Sequence, residues 1–198
     1  MKGKTRPRLI LASASPRRQE ILSSAGIDFE IIPSEVDESI SGRESPGGHV
    51  VRLARMKAAD ASNGRDEQWV LGADTVVVID GIILGKPRDR RDAEKMLRRL
   101  SGREHRVVTG YCIMRGSSRE SREGKVTSRV RIKTLSPREI RWYLDTGEPF
   151  DKAGAYAIQG KAAFMIREIR GSYTNVVGLP LTEVVEALEE LGAADLFS

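Results

Sequence analysis

Cysteine is almost missing from this 198-residue chain, Cys112 being the single example. An internal disulfide is thereby excluded, and such usage suits a reducing compartment. Histidine is scarce too, present only as His49 and His105. One thiol and two imidazoles leave too few soft ligands for a structural zinc site. No apolar run approaches the length needed to span a bilayer. The basic start, Met1 to Arg8, is followed by an apolar stretch of only Leu9 to Ala12, too short for the core of a secretion signal. By elimination the expected address is cytoplasmic, without a membrane partner.

Hydrophobic residues make up 39% of the sequence and charged residues 31%, the mixture of a chain that folds around a core. Lys and Arg number 33 against 28 Asp and Glu, a formal net charge of +5. That excess suits a polyanionic partner, either nucleic acid or a phosphorylated small molecule. A solvated basic surface accounts for it equally well.

Strand-like and helix-like patterns alternate without repeats or low-complexity segments, which predicts a mixed α/β fold. Leu9 to Ala12 reads as a buried strand, and Ser15-Pro16 starts a helix that stops near Gly26. Phe29 to Ile32 reads as a short strand, Ser41 to Gly48 as a loop, and His49 to about Ala61 as a helix. Trp69 to Ile79 is an extended apolar run that Asp80-Gly81 turns into Ile82 to Leu84. A helix marked by Ala93, Met96, Leu97 and Leu100 ends at Gly102. Val107 to Met114 and Val126 to Leu135 form a hairpin around an arginine-rich loop, its second arm carrying a basic face of Arg129, Arg131 and Lys133. Ser136-Pro137-Arg138-Glu139 is a capping box whose helix ends near Gly147, and a last helix runs from about Thr182 to Leu191.

Three segments carry the chemistry. Ser13-Ala14-Ser15-Pro16-Arg17-Arg18 stands between a strand and a helix start. Open backbone N–H groups, a serine hydroxyl and two forked guanidinium groups can grip an anion there. An ordinary strand-to-helix turn with two surface arginines is the other reading. In Leu71-Gly72-Ala73-Asp74-Thr75 a carboxylate interrupts an apolar run, a placement that is costly unless something positive or hydrogen-bonding meets it. Asp74 can hold a metal, accept a proton, or bond nearby amides as a structural aspartate. In Asp151 to Gly160, two glycines among small residues suggest a backbone that something approaches closely, and Gln159 has the donor and acceptor needed to read a base edge. A structural turn explains those glycines too.

Lys57 follows Leu53 by four residues, near the apolar stripe of its helix. Its ammonium can face phosphates or Asp74, or snorkel to solvent. Glu35, in an acidic stretch that includes Asp37 and Glu38, can share a metal with Asp74 or simply be exposed. Gly81 to Pro87 is too short for a P-loop, and Pro87 stands where Ser or Thr is required.

Taken in order, the motifs resemble those of the Maf family of nucleotide pyrophosphatases. They are Leu11-Ala12-Ser13, Ser15-Pro16-Arg17-Arg18, Gly72-Ala73-Asp74-Thr75, Gly85-Lys86-Pro87, Leu100-Ser101-Gly102, Asp151-Lys152-Ala153-Gly154, Gln159-Gly160 and Val177-Gly178-Leu179-Pro180. They cover almost the whole chain. The resemblance implies one Maf-like domain over residues 1–198 with an α/β, mixed-sheet Maf/ITPase-like fold, two lobes around a central cleft, and homodimers as a family assembly. It implies hydrolysis of a nucleoside triphosphate between the α and β phosphates, giving the monophosphate and pyrophosphate with a divalent cation (Mg²⁺ or Mn²⁺). Carried over, Asp74 is the proton acceptor close to the metal and Glu35 helps organise the metal or water. Ser13, Arg18, Lys57 and Lys86 hold the triphosphate. Arg17, Thr75 and Gln159 match the branch acting on dTTP and UTP rather than the sibling branch acting on 7-methyl-GTP. The rival outside enzymology is a nucleic-acid-binding regulator of cell division working through Arg129, Arg131 and Lys133.

Overall fold

The structure, a computed structural model, describes residues 9–40, 44–116 and 120–194. The expectations for Met1 to Arg8, for residues 41–43 of the predicted loop and for residues 117–119 of the arginine-rich loop lie outside the described residues. The chain runs β1 (Leu9–Leu11), α1 (Pro16–Ser24), β2 (Phe29–Ile31), α2 (Pro46–Ala61), β3 (Trp69–Ile79) and β4 (Ile82–Leu84). It continues α3 (Arg90–Leu100), β5 (Glu104–Arg115), β6 (Ser121–Ile132), α4 (Pro137–Asp145), β7 (Ile166–Arg170), α5 (Tyr173–Val177) and α6 (Leu181–Glu190). Seven strands form a mixed sheet in the order β2-β1-β3-β5-β6-β7, with β4 paired to β3. The mixed α/β expectation therefore stands.

The chain divides into two compact units. The first comprises Met1–Asp74, Gly110–Lys125 and Gly178–Ser198. In it β1 runs parallel to both β2 and β3, pairing Ile10 with Glu30 and with Val70. Ile10, Ala12, Ala54, Ala58, Ala61, Val70 and Cys112 form an apolar cluster that joins α2 to these strands. Small residues along α2 let the helix come down onto the strands. A Cβ added at Gly72 would meet the Ala54 carbonyl oxygen at 2.1 Å, and one at Gly110 would meet the Val50 carbonyl at 2.5 Å. Neither position tolerates a side chain without the helix moving.

The second unit comprises Thr75–Thr109 and Val126–Val177. Its core gathers Val77, Leu97, Leu100, Val130, Ile132, Ile140, Tyr143 and Met165, among others. The Asp80-Gly81 turn behaves as expected: both residues have positive φ, 54° and 76°, the backbone twist a two-residue hairpin needs. The antiparallel pair β3–β4 follows directly. The capping box of α4 is complete, Ser136 Oγ accepting from the Glu139 N–H and the Glu139 carboxylate accepting from the Ser136 N–H.

Three elements start earlier than expected. Helix α2 begins at Pro46, so Gly47 and Gly48 are helical rather than loop. Proline at the first position and the Ser45 side chain, which accepts from the Gly48 N–H, outweigh the poor propensity of glycine there. Strands β5 and β6 start at Glu104 and Ser121, and Leu135 falls beyond the end of β6. Strand β7 and the short helix α5 have no counterpart in the sequence reading. Both are short, and β7 contains no buried residue and no regular alternation, which gives a weak periodic signal.

Candidate active site

In the first unit the candidate residues are positioned by β1, α1, α2 and β3. Beyond β1, Ser13 is buried and its Oγ accepts from the Ser15 N–H at 3.3 Å and from Nη1 of Arg18 at 3.0 Å. Arg17 and Arg18 occupy the first turn of α1, whose leading N–H groups face away from the helix body. Nε of Arg18 donates to the Gly178 carbonyl at 2.9 Å. Burial lowers the pKa of this guanidinium, while the nearby Asp74 carboxylate acts to raise it. Arg17 lowers it further and Glu38 raises it, in smaller measure.

The placement of Lys57 follows from α2. Val50, Leu53, Ala54, Ala58 and Ala61 form its buried face, and Lys57 lies on that face rather than opposite it. Along β3, Gly72 packs under Ala54 and Ala58. Residues two apart on a strand share a face, so Asp74 points to the same side as Gly72. The lysine and the aspartate are thereby brought together: Lys57 Nζ donates to Asp74 Oδ1 at 2.8 Å. The two side chains are 8% and 10% exposed, so the ion pair is buried. Of the alternatives open in the sequence, the lysine faces Asp74 and does not snorkel.

A second carboxylate, one the sequence reading did not single out, completes the group. Glu38 Oε1 lies 2.6 Å from the same ammonium, with its side chain 51% exposed. The segment that carries Glu38 is tied to α2 at three places. Asp60 accepts from the Glu35 N–H at 3.1 Å, Lys57 holds Glu38, and Nη2 of Arg52 donates to the Ser39 carbonyl at 3.0 Å. Arg52 is itself forked onto Glu44, which also meets Nδ1 of the buried His49 at 2.7 Å. The Ser39 amide and hydroxyl bond Asp37 and lower its pKa. Glu35 is exposed and meets α2 through its backbone. It is Glu38, not Glu35, whose carboxylate joins Lys57. Among the described residues, no three His, Cys, Asp or Glu side chains gather into a metal-holding group.

In the second unit, Thr75 is half-buried with its hydroxyl 3.0 Å from that of Thr109. Thr109 donates to the Asn175 carbonyl, and the Asn175 amide donates to Ser128 Oγ at 2.9 Å. This buried polar chain gives Asn175 a structural task. Lys86 is exposed, and the carbonyl of Gly85 before it accepts from the Gly154 N–H at 3.0 Å. What approaches Gly154 is the Val77 side chain, 3.0 Å from the Cβ an alanine would add there. Gln159 is half-buried, just before a 3-10 turn at Gly160–Met165. The basic residues in and just after β6 have acidic neighbours: Arg129 lies 3.6 Å from Glu104, Lys133 pairs with Glu139 at 2.5 Å, and Arg131 lies 4.0 Å from Glu168, which is bonded more closely to Arg170 at 2.8 Å.

The family described as Maf-like protein matches residues 8–191. The chain belongs to the Maf family. Among its relatives, a dTTP/UTP pyrophosphatase of Geotalea uraniireducens is 54% identical over 94% of this chain and 96% of its own. A dTTP/UTP pyrophosphatase of Syntrophotalea carbinolica is 51% identical over 96% of this chain and 87% of its own. Among solved structures, a HAM1 protein from Coxiella burnetii superposes with a TM-score of 0.50 at 16% identity, over 93% of this chain and 99% of that one. At that identity the likeness concerns fold alone. It agrees with the Maf/ITPase-like architecture that the motifs imply.

Proposed function

We propose that this Maf-family chain is a nucleoside triphosphate pyrophosphatase that hydrolyses dTTP and UTP to the monophosphate and pyrophosphate in the cytoplasm. One observation carries the reading: a buried carboxylate, Asp74, is held by the Lys57 ammonium in the same unit as Ser13 and Arg18. Relatives named dTTP/UTP pyrophosphatase at about half identity over nearly the whole chain support the substrate class. The acidic partners of Arg129 and Lys133 reduce the positive charge offered to nucleic acid there.

We assign Ser13, Arg17, Arg18 and Lys57 to the triphosphate oxygens, where forked and point-charge donors both suit phosphate. Thr75, Lys86 and Gln159 are assigned to substrate binding on their motif match. The Lys57 contact falls on Oδ1 of Asp74, so we assign proton acceptance to Oδ2. Water that loses its proton there attacks the α-phosphorus in line, the α–β anhydride bond breaks, and pyrophosphate leaves. Positioning and charge complementarity supply much of the rate.

We assign Asp74 and Glu35 to a hard divalent cation on their motif match, since carboxylate oxygens are the ligands that Mg²⁺ and Mn²⁺ prefer, with Glu38 as a further carboxylate beside Lys57. When bound, such an ion supplies charge neutralisation on the triphosphate. The test is a panel of dTTP, UTP, CTP, 7-methyl-GTP and ITP, with and without Mg²⁺, beside Asp74→Asn. The expected result is dTMP and UMP plus pyrophosphate, falling by orders of magnitude in the variant. A folded Asp74→Asn protein that turns over at the native rate defeats the assignment.

A further inference from the structure

The segment Val177-Gly178-Leu179-Pro180 belongs to the motif set, and none of its side chains carries a titratable or hydrogen-bonding group. Its Gly178 lies 160 residues from Arg18 in sequence and accepts a 2.9 Å hydrogen bond from that arginine's Nε. Nε is the innermost nitrogen of the guanidinium, so a bond there fixes the plane of the whole group. The bond from Nη1 to Ser13 Oγ, 3.0 Å long, fixes its rotation. Both acceptors are neutral oxygens. These two bonds set the direction of the fork, and neither adds a counter-charge to it.

The carbonyl is itself held in place. Gly178 has φ +131°, backbone that an L side chain rarely adopts. Leu179 is fully buried, and Pro180, with its ring-fixed φ, leads into α6. A residue with a Cβ at position 178 would rotate the peptide and carry the carbonyl away from Nε. We infer that Gly178 is a positioning residue, whose main-chain carbonyl aims the Arg18 guanidinium at the triphosphate. The inference rests on the assignment of Arg18 to the substrate.

The experiment is a double-variant cycle on the full chain, using Gly178→Ala, Arg18→Lys and the pair, with dTTP as substrate and melting temperature measured alongside. Lysine keeps the charge but has no Nε fork. Each single variant should raise KM on the order of tenfold, the scale of one lost charge-assisted hydrogen bond. The change in kcat should stay within roughly twofold, as for lost ground-state binding. The pair should be no worse than Arg18→Lys alone. Effects that multiply would mean Gly178 acts elsewhere and would overturn the inference. An Arg18→Lys protein with native KM would defeat the assignment of Arg18, a failure distinguishable from that of Gly178. Should Gly178→Ala not fold, the native protein still decides. Its Arg18 Nε–H, followed by NMR, should exchange with solvent far more slowly than those of exposed arginines, and exchange at their rate would refute the carbonyl bond.

Discussion

Lys57 and Asp74 form a buried ion pair, 2.8 Å from Nζ to Oδ1, linking the middle of α2 to β3. Two charges so far from water are tolerable only together. Lys57→Ala leaves the Asp74 carboxylate without its ammonium and should destabilise the protein by about 3–5 kcal/mol, the scale of breaking such a pair. Urea denaturation of Lys57→Ala, Asp74→Asn and the double variant measures the coupling. The double variant should be less destabilised than the two single effects summed; simple additivity would show that the pair contributes no coupling.

His105 is buried with Nε2 2.6 Å from the Tyr156 hydroxyl. Burial pushes its imidazole down from 6.5 to about 4. Between those values the unfolded chain carries a proton that the folded chain does not. Stability should therefore fall as pH drops from about 6.5 to about 4 and receive no further loss from this group below that. The whole contribution is about 3 kcal/mol. Urea midpoints measured across that window should shift less for His105→Phe than for the native protein.

Cys112 is buried in the α2 cluster, and burial pushes its thiol up to about 12. The folded protein should leave a thiol reagent unreacted for as long as it stays folded, and denaturant should release one equivalent. Cys112→Ser places a hydroxyl among apolar neighbours and should cost about 1–3 kcal/mol, read from the denaturation midpoint.

Ser136 caps α4 reciprocally with Glu139, whose carboxyl is lowered to about 2, chiefly by its bond from Lys133. Ser136→Ala removes the acceptor for the Glu139 N–H. A loss of about 1 kcal/mol is expected by urea unfolding, while Ser136→Thr should keep most of the cap.

Local chemistry is legible in the sequence. The stops near Gly26, Gly102 and Gly147, the Asp80-Gly81 hairpin and the Ser136 box all depend on residues within a few positions of one another. The Lys57–Asp74 contact was half readable, because helical spacing put the lysine on the apolar stripe but could not choose its partner. Glu38 was hidden for a different reason. It sits in an irregular segment without period, and only the Asp60 and Arg52 contacts bring it over α2. The Arg18–Gly178 bond was beyond reach, since it joins a side chain to a main-chain carbonyl far along the chain. No residue type encodes a carbonyl.

The two glycines beneath α2 bear on how the reactive groups could ever be adjusted. Gly72 meets Ala54 and Ala58, and Gly110 meets Val50, main chain against main chain. The helix therefore has a mechanical stop on its strands, and Lys57 inherits its height above Asp74 from that stop. A side-chain ruler would drift with each substitution in the core. This one has a tolerance set by the hard radii of backbone atoms, so drift among core residues leaves the ammonium-to-carboxylate gap unchanged unless one of these two glycines is lost.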